Sequence, residues 1–231
     1  MSESSVVLPW GYFGKIPTKG DFIKDGLPLD FVNSWQDWQQ AVLAVSREQL
    51  EEDWTTLYMN APIWHFSFAP KVCGERAMIG TMIPSVDSVG RYFFFTVARS
   101  VEGDALSYWL NRSWSELTQG LALKVLDDNY QHEKWINDLK ANLQEDTFCY
   151  PAIGPITPIL QATQNLVYEE HVQIEGSALL NKLLQAQQPR ACFWWTEGTE
   201  SISPVSAVTD GLPAVGQFSA MLDGCWDKWN W

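Results

Sequence analysis

The stretch RAMIGTMIPSVDSVGRYFFFTVAR, residues 76–99, decides how this chain folds. Residues 76–83 and 91–99 are runs of apolar and aromatic side chains, and PSVDSVG (84–90) between them is turn chemistry, so the segment predicts strand, turn, strand. Just upstream, APIWHFSFAP (61–70) alternates Ile63, His65 and Ser67 against Trp64, Phe66 and Phe68 between two prolines, the pattern of a third strand. These strands are expected side by side in one sheet.

Working outward, residues 6–13 form a short apolar, aromatic run that suits a strand, ended by Gly14 and Pro17. From Asp30 the period changes. Phe31, Trp35, Trp38, Val42 and Val45 recur at three and four, which predicts one helix face against a core, with start signals at Pro28 and Asp30. A second short helix is expected over 47–57. Beyond the strands, Leu106, Trp109, Leu110, Trp114, Leu117, Leu121, Val125 and Leu126 predict a helix, and another is expected over 133–143. The proline-rich YPAIGPITPIL (150–160) is the best candidate for a linker. After it come a predicted helix at 176–187, strands at 190–196 and 202–208, and a last helix after Pro213. Strands interleaved with helices predict an α/β sandwich with a mixed sheet. We expect one domain over 1–231, with 6–145 bearing the motifs and 160–231 completing the sandwich.

Composition narrows the function. With 231 residues, 46% of them hydrophobic, the chain can bury a sizeable core. Its formal net charge of −13 argues against nucleic acid or insertion at an anionic membrane, both of which ask for a basic surface. The charge is uneven. Residues 1–100 carry 8 Lys+Arg against 11 Asp+Glu, whereas residues 101–231 carry 7 against 17. Anionic contacts therefore belong in the first half, where Lys15, Lys19, Lys24 and Arg91 sit in or near glycine turns. Cys73, Cys149, Cys192 and Cys225 lack zinc-site spacing, and the start of the chain lacks a secretory pattern, so reduced thiols in the cytoplasm are expected. Thirteen tryptophans are several-fold above ordinary usage, and large aromatics of this kind belong to cores and interfaces.

GKIPTKGDF (14–22) invites a phosphate-loop reading, and spacing refuses it. Such a loop needs a glycine, four residues, then Gly-Lys-Ser/Thr, but here Gly11 is too close to Gly14 and Ile16 follows Lys15. A dinucleotide fingerprint is missing as well. His65, His132 and His171 have no spaced partner for nucleophilic catalysis, and no Gly-x-Ser-x-Gly occurs. The single Asp210-Gly211 is a weak metal motif. No cofactor and no metal are expected.

What remains is two charged turns. One offers Lys15, Lys19 and Asp21, the other Ser85, Asp87 and Arg91. Asp21 and Asp87 are expected to tie their turns through backbone amides, with Arg91 as ion-pair partner. Rigid turns of this kind also present a polar patch to a partner protein. All six residues are expected to cluster near one edge of the sheet. The competing enzyme reading makes Asp21 and Asp87 the paired carboxylates of a hydrolase.

GYFGKIPTKGDF (11–22), LPLDFVNSWQDWQQAV (27–42), YMNAPIWHFSF (58–68) and CGERAMIGTMIPSVDSVGRYFFFTVA (73–98) together resemble the N-terminal signature of the TagF (ImpM) family of bacterial type VI secretion. ACFWWTEG (191–198) and GLPAVGQFSAML (211–222) resemble its later strand and helix more loosely. The chain departs from the family pattern at Phe94 and Phe95, where a Pro-Leu pair is usual, and at Gln36, where Asp is common. The resemblance implies a three-layer α/β/α sandwich and a non-enzymatic cytoplasmic accessory protein. Some relatives are post-translational repressors that engage a forkhead-associated-domain scaffold protein, and the resemblance implies this role here; the charged turns supply Lys15, Lys19, Asp21, Ser85, Asp87 and Arg91 as its candidate contacts. An assembly factor or structural subunit of the apparatus is the alternative.

Overall fold

A computed structural model describes residues 9–143, 160–162, 165–167 and 176–231. In chain order it has β1 (Gly11–Gly14), β2 (Ile23–Asp25), α1 (Leu29–Leu50), α2 (Trp54–Met59), β3 (Trp64–Phe68), β4 (Ala77–Ile83), β5 (Phe95–Val101), α3 (Ala105–Leu110) and α4 (Ser113–Leu123). Then follow α5 (His132–Asn142), β6 (Leu160–Ala162), β7 (Asn165–Val167), α6 (Gly176–Gln187), β8 (Ala191–Thr196), β9 (Val205–Asp210) and α7 (Ala220–Asp223). The proline-rich residues 150–159 and His171 lie outside the described residues, as does Cys149.

Among the described residues seven strands form one sheet in the order β2-β1-β5-β4-β3-β8-β9, and every neighbouring pair is antiparallel. The expected mixed sheet is therefore corrected. Interleaved helices suggested crossovers between parallel neighbours. Instead β3, β4 and β5 follow one another by short bends, which return the chain antiparallel. The long α1–α2 crossover does join strands that point the same way, β2 and β3, but three strands separate them in the sheet. No parallel neighbours result.

The period-2 alternation of the central strands divides most of the core into two clusters, one per face, beside a smaller third of Ala69, Ala105, Leu106, Ala191 and Phe193. On one side Phe13, Trp64, Phe66, Phe68, Met78, Met82, Cys192 and Trp194 meet Phe31, Trp35, Trp38 and Val42 of α1 and Met221 of α7. On the other, Tyr12, Ile79, Ile83, Phe95, Val97 and Trp195 meet Trp114 and Leu121 of α4 and Trp135 and Leu139 of α5. Nine of the tryptophans are buried: 10, 35, 38, 54, 64, 114, 135, 194 and 195. A buried indole usually finds a partner for its N–H. Trp35 donates to Thr96 Oγ1 at 3.0 Å, Trp38 to the Pro213 carbonyl at 3.0 Å and Trp64 to the Met221 carbonyl at 3.1 Å. The last two bonds tie the end of the chain to α1 and β3.

Helix α1 begins one residue before the expected start and runs on to Leu50, absorbing the first part of the predicted second helix. The expected helix across 102–126 is broken. Asp104 caps α3 by accepting from the Ser107 N–H at 2.9 Å, and Asn111 and Arg112 leave the helical path before α4 starts. β9 starts three residues later than expected, after Pro204, whose missing N–H delays ladder pairing. Among the described residues no helix is long and apolar enough to cross a membrane.

Candidate functional site

The strand order puts β1 beside β5, so the bend after β1 and the bend before β5 emerge next to each other. Gly14 makes this approach possible. It adopts φ +147°, and a Cβ there would lie 2.4 Å from the Phe94 carbonyl oxygen and 2.7 Å from Phe95 Cα.

Asp87 organises the junction from beneath. Its Oδ2 accepts from Lys15 Nζ at 2.8 Å and from Arg91 Nε at 2.7 Å. Its Oδ1 accepts from the backbone N–H groups of Val89 at 3.0 Å and Arg91 at 2.9 Å. The carboxylate side chain is fully buried and the lysine 7% exposed, whereas Arg91 remains 56% exposed. Burial alone would raise the Asp87 pKa, but the hydrogen bonds from Lys15, Arg91 and the backbone outweigh it and hold the carboxyl well below the usual carboxylate range.

The two bends are then stitched together. Ser88 N–H donates to the Lys19 carbonyl at 3.0 Å, and Arg91 Nη2 donates to the Gly20 carbonyl. Lys15 Nζ stands 5.0 Å from the centre of the Phe22 ring, which stacks on Phe13 and meets Phe93 edge-on. From the helical side, the Tyr58 hydroxyl donates to the Ser85 carbonyl at 2.9 Å and accepts from the Ser85 N–H at 3.1 Å. The bend from Ser85 to Arg91 is thus fixed by a salt-bridged carboxylate and by a buried phenol whose burial raises its pKa.

All six sequence-predicted residues come to this junction, and burial sorts them. Lys15, Ser85 and Asp87 are buried and act as supports. Lys19, Asp21 and Arg91 are exposed. Asp21 accepts from the Phe22 N–H at 2.8 Å, the local tie expected of a turn aspartate. Sequence reasoning missed Tyr58, Phe22 and Val89. Val89 is 68% exposed at the tip of the Asp87 bend. A large apolar residue between turn formers was the available signal for it.

Elsewhere among the described residues, His65, Cys73 and Cys192 are buried. Burial lowers the His65 pKa to about 4, and its Nδ1 lies 2.8 Å from Thr81 Oγ1, itself 2.6 Å from Thr118 Oγ1. Burial pushes the Cys73 thiol up to about 12 and the Cys192 thiol well above its ordinary value, which makes both inert as nucleophiles at neutral pH. Among the described residues no three His, Cys, Asp or Glu side chains stand together as metal ligands.

Comparison with known proteins places this architecture. Residues 11–142 match the TagF N-terminal domain, described as type VI secretion system-associated. The chain is also similar to the crystal structure of PA0076 from Pseudomonas aeruginosa PAO1, with 32% sequence identity and a TM-score of 0.73, over 93% of this chain and 94% of that one. Among curated proteins none matches.

Proposed function

The chain belongs to the TagF family of type VI secretion-associated proteins, and from that premise we propose that it is a cytoplasmic regulator of the secretion apparatus that acts by binding and not by catalysis. Its partner is the forkhead-associated-domain scaffold protein of the system, and occupying that scaffold represses assembly after translation. The observation that supports this reading is the state of Asp87. Both its oxygens are filled, by two cations and two amides, so its role is to hold a surface in shape. A general base needs a free oxygen aimed at a reacting proton. Lys19, Asp21 and Arg91 are the charged groups that the clamped bends leave facing outward. A surface made rigid before contact loses less entropy on binding.

The test is co-purification from cells with an active type VI system, comparing wild type with Arg91→Glu after circular dichroism has established that both fold. Loss of the forkhead-associated-domain protein from the variant alone supports the proposal. A variant that still retains it at the wild-type ratio, or a wild type that never captures it, contradicts the proposal.

A further inference from the structure

Beside the clamp lies a cleft of about 210 Å³, lined by Gln40, Leu43, Ala44, Arg47, Trp54, Tyr92 and Phe93. Three elements build it: the last turns of α1, the start of α2, and the end of the Asp87 bend. Arg47 is its exposed cation. Its guanidinium carbon stands 4.3 Å from the centre of the Trp54 ring and 5.7 Å from that of Tyr92. Trp54 and Tyr92 themselves meet edge-on at 5.1 Å, and Trp54 is pinned by its indole N–H donating to Ser46 Oγ at 2.9 Å. The cation is therefore seated on fixed aromatic walls.

It is also unspent. Among the described residues the ion pairs are Lys15–Asp87, Arg91–Asp87 and Lys124–Asp138, and no carboxylate pairs with Arg47. Exposed Glu48, Glu51, Glu52 and Asp53 are its neighbours on the chain, the last three directly before Trp54, yet none is within salt-bridge distance. In a chain of net charge −13, an exposed guanidinium that passes over its acidic neighbours to rest on two rings is set apart. A guanidinium held over aromatic faces is pre-organised and keeps N–H donors for a planar oxyanion. The apolar wall of Leu43 and Phe93 beside it suits an aliphatic side chain.

We propose that this cleft receives an acidic side chain of the partner protein, a Glu or Asp that pairs with Arg47 while an adjacent aliphatic residue packs on Leu43 and Phe93. Charge complementarity selects this occupant. Exposed Lys19 and Arg91 stand on the neighbouring bends, and the two regions are joined by packing. Phe93 lines the cleft and packs on Phe22 of the first bend, while Tyr92, the residue after Arg91, forms the other wall.

The inference rests on the docking reading above, and its test is separate because it needs no scaffold protein. The full chain, labelled with ¹⁵N, is titrated with the peptides acetyl-Leu-Glu-Leu-amide and acetyl-Leu-Gln-Leu-amide and with inorganic phosphate, following the Trp54 indole and Arg47 Nε–H resonances. The expected result is a saturable millimolar shift of both signals with the Glu peptide, at least fivefold weaker with the Gln peptide, and lost in Arg47→Gln. Arg47 is exposed, so that variant should keep the wild-type spectrum elsewhere. If it does not, the Glu and Gln comparison on wild type decides alone. Equal response to both peptides, no response, a response surviving in a folded Arg47→Gln chain, or saturable response to phosphate alone overturns the proposal.

Discussion

Replacing Asp87 by Asn is the sharpest perturbation of the clamp. The amide oxygen can still accept from the Val89 and Arg91 N–H groups, so the bend keeps its backbone bonds and loses its charge. Lys15 is then a buried ammonium facing a neutral group. Removing one partner of a buried pair costs about 3–5 kcal/mol. The Arg91 contact adds only about 0–1 kcal/mol, because that side chain is more than half exposed and screened. For a chain of this size each kcal/mol moves the melting temperature by about 2–4 °C, so Asp87→Asn should melt roughly 6–24 °C below wild type. Lys15→Met should also destabilise. The double variant Lys15→Met with Asp87→Asn should recover part of the loss, with a coupling of at least about 1 kcal/mol in a denaturant cycle at pH 7. The pH dependence has a definite sign. Because the folded pKa of Asp87 is depressed, its stabilisation is complete above the unfolded value near ~3.9 and fades as pH falls below it. The gap between wild type and Asp87→Asn should therefore be constant from neutral pH down to about 5 and shrink below about 4. A melting shift under about 2 °C, or single changes that simply add, would refute the clamp as described.

Buried His65 makes a second pH signature. Its folded pKa of about 4 lies below the usual ~6.5, so stability is fully present above the unfolded value and is lost as pH falls through the folded one. His65→Phe should abolish roughly 3 kcal/mol of pH dependence in that window, read by urea denaturation at several pH values, and an unchanged slope would contradict it. The glycines separate packing from conformation. Gly14→Ala should cost at least about 2 kcal/mol, because its Cβ would meet backbone atoms of Phe94 and Phe95. Gly90→Ala should cost only about 1–2 kcal/mol, since φ +85° is unfavourable but no atom lies within 4 Å. Equal losses in the two would show that the approach at Gly14 is not tight.

How much of this was legible in the sequence depends on which force fixes each part. β4 and β8 were readable because their residues are buried on both faces, so apolar runs bounded by turn formers had one interpretation, and β3 was readable from its alternation between two prolines. β5 was placed four residues too early. Arg91, Tyr92, Phe93 and Phe94 look like strand, but Tyr92 makes only an isolated bridge to Val86, and Phe93 and Phe94 are both buried in the α1-side cluster. The antiparallel sheet was missed because strand direction follows from which strands are neighbours, and the pairing of β1 with β5 spans some eighty residues of chain. At the site, Asp87 as a tie for its own turn was legible from local turn chemistry. Its bond to Lys15 was not, because that partner is 72 positions away and no local pattern announces a buried lysine. Tyr58 was hidden for the same reason, arriving from a helix to hold Ser85.

The central claim is that the two clamped bends form a pre-shaped docking surface, and Lys19 tests it most directly because its side chain is exposed and only its backbone takes part in the stitching. The measurement is the calorimetric affinity of the purified forkhead-associated-domain scaffold for wild type and for Lys19→Glu at equal melting temperature. Reversing this charge should weaken binding by about tenfold or more, roughly 1.4 kcal/mol. An affinity within about twofold of wild type would contradict the claim.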